Sequence, residues 1–268
     1  MTLLDDLLGD LKAEGDRLFN TVSGLDAGGW ATPTPAAGWT VATQVAHLLW
    51  TDEVATVAAT DTPEGKERWD LLVLQALDDP LGFVDAQAVE VARLAPEALL
   101  ARWGRAREEL PRALRAYPEG RKMPWFGPPM SPASMATARF METWAHALDV
   151  YDALGIDPEP TDRVRHVAHL GVRTRDFAFS VHGLAAPAEE FRIELAAPSG
   201  ETWHWGPEDA AQSVRGSAYD FCLLVTQRVH RDDTDLVAVG ADAAQWLTIA
   251  QAFAGPAGEG RPREGHRR

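Results

Sequence analysis

Apolar residues recur at helical spacing from the start of the chain. Leu3, Leu4, Leu7, Leu8, Leu11, Leu18 and Phe19 are separated by acidic and other polar residues, which predicts an amphipathic helix over about 2–22. Gly28-Gly29-Trp30 and Pro33-Thr34-Pro35 then read as a rigid loop. Thr40 is placed to cap a second helix running to about residue 59, with Trp39 before it as a candidate staple. This helix is apolar nearly all round (Val41, Val45, Leu48, Leu49, Trp50, Val54, Val57), so it is expected to be covered on more than one side.

The pattern over 61–94 is less regular. Pro63 opens a helix to about 77, Asp78-Asp79-Pro80 breaks it, and a short helix follows over 82–94. Pro96 starts a longer helix to about Tyr117, within which Pro111 is expected to kink or locally unwind the backbone. Met123 to Met130 is a stiff, aromatic, proline-rich loop. Ser131-Pro132 then caps a helix that runs to about Leu154 and stops at Gly155. One more helix is predicted over 161–183. Thereafter the period changes: Phe191–Leu195 and Thr202–Trp205 alternate around Pro198-Ser199-Gly200 as a β-hairpin, and Gln212–Arg215 reads as a third strand. Ser217 caps a helix to about Val229, Asp235–Val239 is a fourth strand, and Asp242 caps a last helix to about Phe253. The expected fold class is therefore α+β: helices over 1–160 with a helical insertion at about 61–94, then a linking helix and a small α+β domain over 161–254. The Gly-, Pro- and Arg-rich tail, 255–268, is expected to be disordered.

Composition narrows the function. The 268 residues are 46% hydrophobic and 24% charged, with ten tryptophans, and carry a net charge of −15. An acidic chain with no Lys/Arg cluster before its C-terminus repels phosphate backbones, which argues against nucleic acid and anionic membranes as partners. No signal segment opens the chain, and no apolar run reaches the roughly 18 residues of a membrane span, so a cytoplasmic location is expected. The single cysteine, Cys222, rules out an internal disulfide and a cysteine-based zinc cluster; flanked by Phe221, Leu223 and Leu224, it reads as a small core residue.

Candidate chemistry lies in Arg139-Phe-Met-Glu142-Thr-Trp-Ala-His146-Ala-Leu-Asp149. Glu142 and His146 are one turn apart, and Arg139 and Asp149 share their stripe. Spacing alone fits a solvated charged stripe tied by intrahelical pairs such as Arg139 with Glu142. Met135, Val150 and Ala153 lie on the same stripe, however, and an enclosed Glu–His pair calls for a satisfying partner such as a metal ion. His47, on the helix that is apolar all round, reads either as a core histidine bonded to a neighbour or as a further ligand. His166 and His169 lack a third partner by spacing and read as surface or interface residues.

Gly38-Trp39-Thr40-Val41 followed by His47-Leu48, and later Glu142-x-x-x-His146, resembles the DinB-like superfamily. Within it the chain is most similar to the mycothiol-dependent maleylpyruvate isomerase group of actinobacterial proteins. The resemblance spans most of the chain: the Trp-Thr-Val helix start, the aromatic loop before the last bundle helix, the Glu-x-x-x-His pair and the C-terminal α+β module. It implies a DinB-like four-helix bundle that binds a divalent metal, typically zinc, through His47, Glu142 and His146; relatives with three histidine ligands differ at Glu142. It further implies mycothiol, a low-molecular-weight thiol that binds the metal as a thiolate and adds to a small electrophilic substrate.

Two imidazoles and one carboxylate suit an open site, which leaves a position for water or substrate. On that reading Asp149 is a candidate partner for the outer nitrogen of His146, or simply a solvated aspartate. Arg139 and Arg228 are candidates for an anionic group of the substrate. Arg139 is equally placed to pair with Glu142, and Arg228 to cap a helix C-terminus. The expected function is a metal-dependent thiol transferase or isomerase; the alternative is a non-catalytic metal- or small-ligand-binding protein. The added segment at 61–94 argues against maleylpyruvate itself as the substrate, and a homodimer is allowed for.

Overall fold

A helix that is apolar on every side has to be wrapped, and the first half of the chain is built around that requirement. In a computed structural model that describes residues 2–258 and 260–263, the chain forms two compact units dividing between Pro158 and Glu159. The helices of the first unit are α1 (Leu3–Ser23), α2 (Ala27–Trp30), α3 (Val41–Ala58), α4 (Pro63–Asp78), α5 (Phe83–Val91), α6 (Pro96–Ala116) and α7 (Pro132–Ala153). α1, α3, α6 and α7 pack as a four-helix bundle, and α3 packs on α4, α5, α6 and α7 together. Val41, Val45, Leu48 and Leu49 are 0% exposed, at roughly 1.5–3 kcal/mol for each such side chain removed from water.

Most of the helix caps predicted from the sequence form. Thr40 Oγ1 accepts the Thr43 N–H on α3 and Ser131 Oγ accepts the Ser134 N–H on α7; α1 carries in addition a reciprocal capping box of Thr2 and Asp5 that the sequence reading did not assign. Gly155, at φ +67°, follows the end of α7. α6 runs without a break through Pro111, so the expected local unwinding does not occur. The supposed loop at 27–30 is a single turn of helix capped by Asp26, a structure too short to show periodicity. Met123 and Met130 pair through two backbone hydrogen bonds, at 2.8 and 3.0 Å, and close the aromatic loop before α7.

In the second unit, the single helix expected over 161–183 is broken into a 3-10 turn (Asp162–Val164), α8 (Arg165–Arg173) and α9 (Arg175–Val181). The break falls at Thr174, whose hydroxyl donates back to the carbonyls of Leu170 and Gly171. β1 (Arg192–Ala196) and β2 (Thr202–Trp205) form the predicted hairpin, with Leu195 opposite Trp203. β3 (Ser213–Ser217) lies parallel to β1, and β4 (Val237–Val239) antiparallel to β3, in the order β2-β1-β3-β4. α10 (Ala218–Val225) stops four residues earlier than predicted, turned off by Gln227 at φ +60°. α11 (Ala241–Ile249) is not capped by Asp242; the Gln212 side chain accepts the N–H groups of Asp242 and Ala243 in its place. Of the tail expected to be disordered, residues 255–258 and 260–263 carry no helix or strand. Gln251 donates to the carbonyls of Phe253, Gly255 and Pro256 at the start of that stretch. Residues 259 and 264–268 lie outside the described residues. No helix among the described residues is long and apolar enough to cross a membrane.

Candidate metal centre

α3 and α7 run antiparallel, as three side-chain links between them show: Gln44 meets His146, His47 meets Glu142, and Asp52 meets Arg139. The first two links converge. Nε2 of His146 lies 3.1 Å from Glu142 Oε2, and Nε2 of His47 lies 3.4 Å from the same oxygen. Among the described residues, His47, Glu142 and His146 are the one group of three whose ligand atoms all lie within 4.8 Å of one another. The one-turn spacing on α7 places Glu142 below His146, and α3 brings His47 in from 95 residues away.

The donor set fits a divalent cation. A tetrahedral ion with bonds of about 2.0–2.1 Å needs ligand atoms about 3.3–3.4 Å apart, close to the two separations found. The side chains of His47 and His146 are 9% and 14% exposed and that of Glu142 is 24% exposed, so the cluster is largely buried and the carboxylate keeps the most contact with solvent. Burial alone would push the Glu142 carboxyl up. Hydrogen bonds from His146 and His47, and the charge on those rings, outweigh burial and hold it well below the usual carboxylate range. An ionised carboxylate between two imidazoles is the state that a metal ion requires.

The loop before α3 supplies one wall. The Trp39 indole stacks on His146 at 5.7 Å between ring centroids and 16° between planes, and reaches His47 at 5.4 Å. This is a different use for Trp39 than the staple expected from sequence. Behind His146, its Nδ1 is hydrogen-bonded to Gln44 Oε1; Gln44 Nε2 donates to Thr34 Oγ1 at 2.9 Å, and Thr34 Oγ1 donates to the Trp39 carbonyl at 3.1 Å.

The remaining sequence candidates have bonding partners or burial of their own. The partner on the outer nitrogen of His146 is Gln44 in the place expected of Asp149, which is itself 2% exposed on α7. Arg139 does not pair with Glu142. It is 2% exposed, and its Nε donates to Asp52 Oδ1 at 2.9 Å, while Trp103 Nε1 donates to Asp52 Oδ2 at 3.3 Å. Arg228, in the second unit, donates from Nη1 to the Thr226 carbonyl at 2.6 Å and closes the C-terminus of its own helix. Gln44, Thr34 and Trp39 were missed as site residues. Gln44 carried a usable signal: an amide in a helix buried all round must find partners, and it stands one turn before His47.

The family described as the mycothiol maleylpyruvate isomerase N-terminal domain matches residues 11–151. A shorter match, to a family described as wyosine base formation, covers residues 187–239 in the second unit. Uncharacterized proteins from two strains of Mycobacterium tuberculosis are 58% identical over 252 residues, which is 94% of this chain and 96% of each relative. Among solved structures, mycothiol-dependent maleylpyruvate isomerase and a histidine-to-alanine mutant of it align with a TM-score of 0.58 at 16% identity, covering 89% of this chain and 95% of theirs. At that identity the likeness speaks for the fold, a DinB-like bundle followed by an α+β module. The match over 11–151 spans more than half of the 268 residues and takes in His47, Glu142, His146 and the loop that walls them. The chain therefore belongs to the mycothiol maleylpyruvate isomerase N-terminal domain family.

Proposed function

We propose that the protein is a divalent-metal enzyme that uses a low-molecular-weight thiol, mycothiol, as transferase or isomerase on a small electrophilic substrate. The observation that carries this reading is the convergence of two imidazoles and one carboxylate on a single point, with the carboxylate still partly reached by solvent. His47, Glu142 and His146 hold the metal, and three protein ligands leave at least one position for an exchangeable group. When bound, such a metal lowers the pKa of a coordinated thiol or water and polarises a carbonyl. Zinc suits this set best among common ions, although two imidazoles and a carboxylate also accept nickel, cobalt or iron.

The chain's own residues do the rest. The Trp39 indole keeps water from one face of the His146 ring, and Glu142 neutralises one of the ion's two charges. The protein offers no thiol of its own. Cys222, its single cysteine, is 0% exposed in the second unit, and burial pushes its thiol well above the usual range. A nucleophilic sulfur must therefore arrive with a cofactor, in keeping with the family to which the chain belongs. The test is thiol conjugation to a panel of small electrophiles, with and without chelator, and with His47→Ala. Both treatments are expected to reduce the rate to that of the free thiol. Conjugation unchanged by both eliminates the enzymatic reading, and stoichiometric metal without conjugation leaves a metal-binding protein.

A further inference from the structure

The polar chain behind His146 has a direction. The Thr34 hydroxyl has one proton, and it is directed at the Trp39 carbonyl at 3.1 Å. The Thr34 oxygen is thereby left as an acceptor, and the Gln44 amide nitrogen donates to it at 2.9 Å. With its NH2 turned to Thr34, Gln44 presents its carbonyl oxygen to Nδ1 of His146. A carbonyl only accepts, so Nδ1 must carry a proton. In the neutral ring the lone pair then sits on Nε2, the atom 3.1 Å from Glu142 Oε2. A proton on Nε2 makes that contact a hydrogen bond to the Glu142 carboxylate, and a metal ion that displaces this proton meets the lone pair in its place.

We propose, resting on the metal reading above, that Gln44 is a positioning residue that sets the tautomer of His146 so that its Nε2 lone pair is held ready for the metal. Thr34 fixes the sense of the Gln44 amide, and the Trp39 carbonyl fixes the sense of Thr34. If the amide turned over, its NH2 would meet Nδ1 and force a proton onto Nε2, closing that atom to coordination. Gln44 is 0% exposed, so water does not readily take its place between His146 and Thr34. The Trp39 carbonyl also accepts the Thr34 N–H at 2.8 Å, and the ring of the same residue stacks on His146. One loop residue therefore controls both the face and the edge of the imidazole.

The experiment uses the full-length protein with zinc as the probe. It reads equilibrium zinc affinity by chelator competition and the protonation of the His146 ring by nitrogen-15 NMR. A proton on Nδ1 of His146 is expected. Gln44→Met, which keeps the shape and removes the acceptor, is expected to weaken zinc by roughly 10–100-fold, whereas Gln44→Glu, which restores an acceptor, keeps wild-type affinity. Thr34→Val is expected to fall between them. A purely structural role for Gln44 predicts the reverse order, since a buried carboxylate harms packing more than a buried methionine. Wild-type affinity in a folded Gln44→Met protein, or an unprotonated Nδ1, overturns the proposal. A wild-type protein that holds no zinc overturns the metal reading, and the Nδ1 proton then decides the tautomer on its own.

Discussion

Arg139 and Asp52 form a buried ion pair, with side chains 2% and 5% exposed, one to two turns along the helices from the candidate metal centre. Removing one partner from such a pair strands the other charge in the bundle, which typically costs about 3–5 kcal/mol. Arg139→Met is accordingly expected to lower stability by about that amount in urea denaturation. The double variant with Asp52→Asn should lose less, because no charge is then left alone and Trp103 keeps its acceptor. Zinc affinity of the folded Arg139→Met protein should stay near that of the wild type. A large loss of zinc affinity at unchanged stability would instead assign Arg139 to the site. The sequence showed Arg139 on the same stripe as Glu142 but gave no hint of Asp52, because pairing between helices depends on how they are rotated against each other.

At the scale of elements, the segment from Thr32 to Val41 does more than connect α2 to α3. Thr34 N–H and the Thr34 hydroxyl both donate to the Trp39 carbonyl, Trp39 N–H donates to Ala36, and Gly38 turns the chain at φ +78°. A Cβ at Gly38 would meet nothing within 4 Å, so the penalty for Gly38→Ala is purely conformational, about 1–2 kcal/mol. That variant is expected to lose this much stability by denaturation and to bind zinc more weakly, since any relaxation of the turn shifts Trp39 and the bond that orients Thr34. Unchanged zinc affinity would separate the loop from the site. Element positions were largely legible because caps and periodicity are local: Thr40, Ser131 and Ser217 each begin the helix they announced. Two of the failures fell where a distant side chain intervened, as Gln212 does at the start of α11, and where a Thr hydroxyl bent back into its own helix at Thr174.

At the scale of the whole molecule the net charge is −15, and one pair of acidic side chains is held close together. In the second unit Asp220 Oδ2 accepts the Asp235 N–H at 2.8 Å, while the Asp235 carboxylate accepts the Ser217 N–H. Burial, and then the neighbouring Asp235 charge, raise the Asp220 carboxyl above its ordinary 3.8. The folded state therefore holds that proton more tightly than the unfolded chain. The associated stability is fully present below pH 3.8 and is lost as pH rises through the elevated value. Asp220→Asn keeps the acceptor and removes the charge. Net of the favourable placement of an acid near a helix start, it should raise stability at pH 7 by less than about 1 kcal/mol. The gain should vanish in acid, as denaturation at the two pH values would show; an equal gain at both would rule out the titration as its cause. By itself the sequence determined the helices, the hairpin and the i,i+4 pairing of Glu142 with His146, because these depend on neighbours within a turn or two. The family resemblance named His47 beside that pair, but only the tertiary structure decided how closely it approaches, that Gln44 stands behind His146, and that Arg139 turns to Asp52. Those contacts join residues about 90 to 100 positions apart, and they exist only once α3 and α7 pack antiparallel in one register.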